Sequence, residues 1–381
     1  MEFLGMLAFV VALLLSVMVH EFGHFITARR YGMKVSEFFV GFGKRIWSVQ
    51  RGETEFGVKA IPAGGYCKIE GMTPNDAMPE GQEHRAFYKA SSGKKLVVLG
   101  AGSFLHFVLG YILLFILFAG VGTNQVLPVI GEVISSSAAQ SAGIQVGDEV
   151  ISINGVKVTA WYKDVERIRN SQGKELTLEL LRDGQNITIT ATPRLTEVDG
   201  TNRYVLGIVN TVGLKRSGIV ESSSNAFTVT RSLIVESVKS LVSLPSKIPA
   251  LWGQTVRGEE RDANGLVGVV GVARVSGEAI GSSELTGSER WATFLLIIAS
   301  LNIFVGIFNL LPILPLDGGH MAVAIADEIR ALYARMRGRV RPAAIDVTVL
   351  TPVTMVVFVI LACLTLLLLV ADVINPVTLN L

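Results

Sequence analysis

Four apolar stretches approach the length a bilayer requires, and nothing else in this chain constrains its fold as strongly. A helix of about 20 predominantly apolar residues crosses the hydrocarbon core. The stretches run from about residues 3–27, 96–121, 291–316 and 353–370. Composition agrees. Half of the 381 residues are hydrophobic, 17% are charged and the mean hydropathy is +0.50. That is too apolar for an ordinary soluble protein and too charged for spans throughout. The expected fold class is therefore a polytopic α-helical membrane protein with four transmembrane helices and a water-facing module. The first stretch is not read as a cleaved leader, because it lacks a basic start and a small-residue cleavage site and runs directly into polar residues. A net charge of +2 gives no reason to expect a nucleic acid partner. Cys67 and Cys363 fall in unlike segments, which argues against a disulfide framework and a cysteine metal site.

Basic residues set the expected orientation. Residues 28–95 carry 12 Lys/Arg against 7 Asp/Glu, with Arg29 and Arg30 at the membrane edge. The loop after the third span holds Arg330, Arg335, Arg337, Arg339 and Arg341. The long stretch 123–290 is balanced, at 17 basic and 18 acidic residues. The first and third loops are thus expected in the cytoplasm, with the central segment and both termini outside.

That central segment reads as a folded unit. Val129–Val133 is a strand pattern, 137–144 a short helix, and Gly147–Gly155 a turn, an alternating strand and a hairpin Asn-Gly. A helix over 160–171 and strands over 176–181 and 186–192 complete it. The run Ser-Ala-Gly-Ile-Gln-Val-Gly-Asp-Glu-Val-Ile-Ser-Ile-Asn-Gly resembles a PDZ domain, covering 125–212, which makes it an inserted α+β domain. Apolar residues at helical spacing predict an amphipathic helix over 222–252, within a linker region 213–290. The Gly-rich run 265–271 reads as a loop returning to the membrane.

Chemistry concentrates at the end of the first span. His20-Glu21-Phe22-Gly23-His24 is an H-E-x-x-H pattern. On a helix, His20 and His24 share a face and can share one metal through imidazole nitrogens, with Glu21 beside them to take a proton from water. An unpaired ionisable residue within a membrane span costs several kcal/mol (roughly 2.5–3.5), so three within five positions argue for a function. A catalytic zinc needs a third protein ligand. The third span offers Asp317, in Asn309-Leu310-Leu311-Pro312-Ile313-Leu314-Pro315-Leu316-Asp317-Gly318-Gly319, where the prolines break the helix and the Gly pair permits a sharp turn. Asp317 is preferred to His320 because a carboxylate offsets part of the metal's charge, and His320 follows the turn.

Together these motifs resemble the site-2 protease family of M50-type intramembrane zinc metalloproteases. Within it they resemble the regulator-of-sigma-E type, and Arg51–Ala60 with Gly64-Gly65-Tyr66 is similar to its single-PDZ actinobacterial members. The resemblance covers essentially the whole chain. It implies Zn2+ held by His20, His24 and Asp317, Glu21 as general base, and Asn309 holding the substrate backbone. It also implies a membrane-associated β-hairpin within the cytoplasmic loop 38–70. The protease core would then be split between 1–121 and 291–381. The implied activity is hydrolysis of peptide bonds in transmembrane segments of membrane proteins such as anti-sigma factors, in a bacterial inner membrane, with the PDZ domain outside and the active site towards the cytoplasm. One residue departs from the pattern: the family's second span usually carries G-x-x-x-N, whereas this chain has Gly102-Ser103-Phe104-Leu105-His106. The alternative function is a membrane-anchored PDZ scaffold without catalysis, which would not require Glu21 or Asp317.

Overall fold

The computed structural model describes residues 1–198, 200–261 and 265–377. The chain divides into two compact units, one formed by 1–120 with 218–381 and the other by 121–217.

The first unit begins with α1 (Glu2–Arg30). Two long antiparallel strands follow, β1 (Val35–Arg51) and β2 (Thr54–Ile69). They do not make a flat hairpin. Phe38 pairs with both Cys67 and Phe56, and Phe39 with both Tyr66 and Gly57, so the first half of β1 lies between two arms of β2. Gly41 and Gly43, at φ of 83° and 84°, make the bend in a conformation that side chains other than glycine resist. Arg85 anchors this sheet by a bidentate pair with Glu53 at 2.6 and 2.7 Å and a bond from its Nε to the Gly32 carbonyl. Then comes α2 (Ser92–Ile116), which ends in a π turn over Leu117–Val121.

The second unit holds β3 (Thr123–Val133), α3 (Ala138–Ser141), β4 (Glu149–Ile153), β5 (Val156–Lys157), α4 (Trp161–Arg169), β6 (Leu176–Arg182) and β7 (Gln185–Ala191). It closes with β8 (Arg194–Val198), β9 (Thr201–Val205) and β10 (Ile208–Lys215). Strand order in its main sheet is β10-β3-β4-β6-β7, so the first and last strands of the unit pair with each other. Leu176, Leu178 and Leu180 alternate with exposed Thr177 and Glu179 along β6, and they pack with Ile130, Ile153, Trp161 and Ile168 into one core. Asp148, 1% exposed, accepts the Gln145 N–H and both Nε–H and Nη2–H of Arg182, at 2.7 Å each from the guanidinium. That guanidinium holds the Asp148 carboxyl below the usual carboxylate range. The β8–β9 hairpin lies outside the elements expected from the sequence.

The chain then returns to the first unit as α5 (Ile219–Val256), α6 (Val269–Gly281), α7 (Gly287–Asn309), α8 (Asp317–Met336) and α9 (Thr351–Ile374). Among the described residues four helices are long and apolar enough to cross a membrane: α1, α2 with its π turn, α7, and α9 with the short turn before it. None of the most apolar window of α9 is buried by the protein, which leaves that surface for lipid. Within the unit α1 packs on α2, α6 and β2, while α2 also meets α7 and α8. Small residues make the closest approaches, as expected where lipid removes the hydrophobic drive between helices. A Cβ on Gly5 would lie 2.9 Å from the Gly277 Cα of α6, and one on Gly23 would lie 2.7 Å from the Ala101 carbonyl of α2.

Three details differ from the sequence-based expectation. The third span stops at Asn309 rather than 316, and the stretch 310–316 is irregular, because Pro312 and Pro315 supply no amide hydrogen to a helix. Gly318 and Gly319 are not a turn but the first turn of α8; their missing Cβ atoms let that turn lie on the irregular stretch, where a Cβ on Gly318 would come within 2.3 Å of the Leu310 and Leu311 carbonyl oxygens. The Gly-rich run 265–271 is not all loop, since α6 begins at Val269. Its N-cap, Gly268, has no side chain to cap with, and the missing cap comes from α9: Asp372 accepts the Gly271 N–H at 2.8 Å. Asp372 also pairs with Arg261 at 3.0 Å, with side-chain exposures of only 0% and 3%.

Candidate metal centre

The helical period places His20 and His24 one above the other on the α1 face that meets α2. Each is 7% exposed. Asp317, the first residue of α8, reaches the same point from the far end of the chain. Its Oδ2 lies 3.2 Å from His20 Nε2 and 3.3 Å from His24 Nε2, and the two Nε2 atoms are 3.0 Å apart. Among the described residues these three are the group whose donor atoms converge closely enough to hold a metal ion.

Whether zinc fits can be judged from the donors themselves. Zinc bonds to imidazole and carboxylate are about 2.0–2.1 Å long, so the edge of a zinc tetrahedron is about 3.3 Å. The three observed separations approximate one face of it. Two imidazole lone pairs and a carboxylate facing one another repel unless a cation lies among them. His24 is set for the task by α2: its Nδ1 lies 2.8 Å from the Val98 carbonyl oxygen. A carbonyl only accepts, so Nδ1 carries the ring proton and Nε2 keeps its lone pair for a metal. The residues fit the ion.

Glu21 is aligned from below by the sheet. Gly65 of the β2 arm lies against Met18 and Glu21, which sets the side chain of Glu21 beside that strand. Cys67 is the other reactive type here, but burial, aided by Glu21, pushes its thiol up to about 12. A protonated thiol is a poor nucleophile, which removes cysteine catalysis from consideration. Asn309 ends α7, half-buried, and its side chain makes no hydrogen bond to a described residue. His320 lies in the first turn of α8 and is not part of the ligand cluster. His84 sits exposed in a short turn over 83–85.

The family model for peptidase family M50 matches residues 8–355. The chain belongs to peptidase family M50. This M50 chain is 34% identical to the zinc metalloprotease Rip1 of Mycobacterium tuberculosis, with 98% of each chain covered. Rip1 of Mycolicibacterium smegmatis is likewise 34% identical over 98% of both chains. A putative zinc metalloprotease of Mesorhizobium japonicum is 33% identical over 84% of this chain and 88% of its own. The protein is accordingly a zinc metalloprotease carried by membrane helices.

Sequence reasoning alone overlooked two residues of this M50 centre. Gly102, noticed only as part of a motif, is the floor of the histidine pair: a Cβ there would lie 2.5 Å from His20 Cε1 and 2.7 Å from His24 Nε2. Asn302 is buried in the middle of α7 and bonds to His106 and Ser16. The available signal was an amide inside an apolar span, which has to find a partner.

Proposed function

We propose that this zinc metalloprotease is an intramembrane endopeptidase that cuts transmembrane segments of other membrane proteins, anti-sigma factors among them. The observation that carries this reading is the convergence, within 3.3 Å, of His20 and His24 at the end of one apolar helix with Asp317 just beyond another. These three side chains would hold the zinc. Zinc, when bound, supplies Lewis acidity that polarises the scissile carbonyl and makes water acidic enough to attack near neutral pH.

The remaining steps belong to the protein. The Glu21 carboxylate, beside the β2 arm at Gly65, takes a proton from the water whose oxygen bonds to the carbonyl carbon. It then returns that proton to the nitrogen as the C–N bond breaks. The Asn309 amide, which bonds to no described residue, can both donate to and accept from a substrate backbone. A helix hides its amides in internal bonds, so a substrate must first unwind; the β2 arm beside Glu21 would receive it as an added strand. Residues 125–212, with the short helices α3 and α4 and the sheet of the second unit, are read as a PDZ domain, and the amphipathic α5 as part of the linker 213–290 after it. The excess of Lys and Arg in 28–95 and 330–341 supports a cytoplasmic side for those loops.

The test is metal analysis alongside cleavage of a transmembrane reporter. Glu21→Gln should keep zinc and lose cleavage, because an amide cannot take the proton; His20→Ala should lose both. A Glu21→Gln enzyme that still cleaves removes the general-base role.

A further inference from the structure

His106 lies one turn beyond Gly102 on α2 and is 2% exposed; its ring centroid is 5.0 Å from that of His20, with the planes tilted by 41°. Its protonation is decided on its far side. The amide nitrogen of Asn302, a residue 1% exposed on α7, lies 2.8 Å from the Ile298 carbonyl oxygen and 3.1 Å from Ser16 Oγ. The carbonyl only accepts, so this end of Asn302 is its NH2 group. Ser16 sends its own proton to the Ala12 carbonyl at 2.8 Å and so accepts the second amide hydrogen. Asn302 Oδ1 is left facing His106 Nδ1 at 2.9 Å, purely as an acceptor. Nδ1 therefore carries the ring proton. His106 Nε2 has a bare lone pair and makes no hydrogen bond to a described residue.

His20 presents the complementary need. Its Nε2 faces Asp317 and His24, and ligation through Nε2 puts the ring proton on Nδ1, which is buried without a partner. Gly102 stands against that edge of the ring, since a Cβ on it would be 2.6 Å from His20 Nδ1. Gly102 and His106 are four residues apart and share a face of α2. A buried donor without an acceptor thus adjoins an imidazole with an unused acceptor, and the donor left alone would cost roughly 1–3 kcal/mol.

We propose that His106 is a positioning residue for the metal: its Nε2 accepts the Nδ1 proton of His20, directly or through one water, and Ser16 and Asn302 hold it in the tautomer that allows this. The chain Ala12–Ser16–Asn302–His106–His20 then fixes the ligand ring and raises its basicity. The inference rests on the reading of His20 as a zinc ligand. It gives a reason for imidazole at this position, because its distal nitrogen reaches past the point where an asparagine amide ends.

The experiment measures zinc affinity of the full-length protein in detergent by chelator competition, with thermal unfolding of the zinc-free protein in parallel. His106→Phe should lower affinity by about 10- to 100-fold, the usual cost of losing an outer partner of a ligand. Two conservative variants separate positioning from packing. A glutamine amide falls near the place of Nε2, whereas an asparagine amide falls near that of Nδ1. His106→Gln should keep affinity within a few-fold, and His106→Asn, which preserves only the bond to Asn302, should not. The reverse order would make His106 a helix contact and overturn the proposal, as would wild-type affinity in His106→Phe. Ser103, whose Oγ is also buried without a partner, is the rival acceptor: a loss confined to Ser103→Ala would move the role there. If His106→Phe does not fold, the Gln/Asn comparison still decides. His20→Ala is the control, since retention of zinc there would sink the ligand assignment rather than the role of His106.

Discussion

Gly102 of α2 touches the edge of His20 so closely that a single added methyl group would lie 2.5 Å from the ring's Cε1 and 2.6 Å from its Nδ1. Real carbon atoms do not approach this closely without something giving way, and here the neighbours are rings held by a second helix. The histidine pair is therefore positioned partly by an atom that is missing.

Gly102→Ala should consequently displace one or both rings and cut zinc occupancy sharply while leaving the helices in place. Metal analysis together with circular dichroism checks this. Full zinc content in a helical Gly102→Ala protein would show that the rings can move aside.

Asp317→Asn should weaken zinc retention and abolish cleavage, because an amide offers no charge against the metal. His320→Ala should retain at least partial activity, since His320 stands outside the ligand cluster. The two variants need to be compared side by side for zinc content and for turnover. A zinc-free, inactive His320→Ala beside an active Asp317→Asn would reverse the assignment.

The Arg261–Asp372 pair ties the loop before α6 to α9. Asp372→Ala would strand a buried guanidinium and uncap α6, at a cost of about 3–5 kcal/mol. Replacing both partners, as Arg261→Met with Asp372→Leu, should recover much of that loss. Thermal unfolding in detergent reads both, and equal destabilisation by the single and double changes would argue that the cap, not the charge, is what matters.

Asp148 should make the unit 121–217 acid-sensitive. Its carboxyl is held below its ordinary value by Arg182. A depressed acid stabilises the folded state above its unfolded pKa of about 3.9, and that contribution is lost as the pH falls from there through the lower folded value. Hydrogen exchange along β4 and β6 should therefore quicken as the pH drops below about 4, after correction for intrinsic rates. In Asp148→Asn it should be faster at neutral pH, with the acid dependence flattened. An unchanged acid profile in the variant would assign the effect to another group.

Much of this protein is readable without coordinates because the signals are local. A helix repeats every 3.6 residues, so H-E-x-x-H alone puts two imidazoles on one face. A bilayer has one thickness, so four long apolar runs mark the membrane helices. Alternation along 176–181 gives a strand, and two prolines after Asn309 end a helix. Other features depend on which distant segments meet, and no local period encodes that. Asp317 came under suspicion from the sequence as an acid beside an apolar run, but its approach to within 3.3 Å of both histidines follows from how α8 packs on α2. Gly318-Gly319 reads as a turn in isolation; the tertiary structure makes it the first turn of a helix, because packing against a carbonyl-lined stretch leaves no room for a Cβ. The start of α6 depends on a carboxylate about a hundred residues further along the chain. The proton on His106 is fixed by a carbonyl of a third helix acting through Asn302, since an amide's two ends can be told apart only by the partners that surround them.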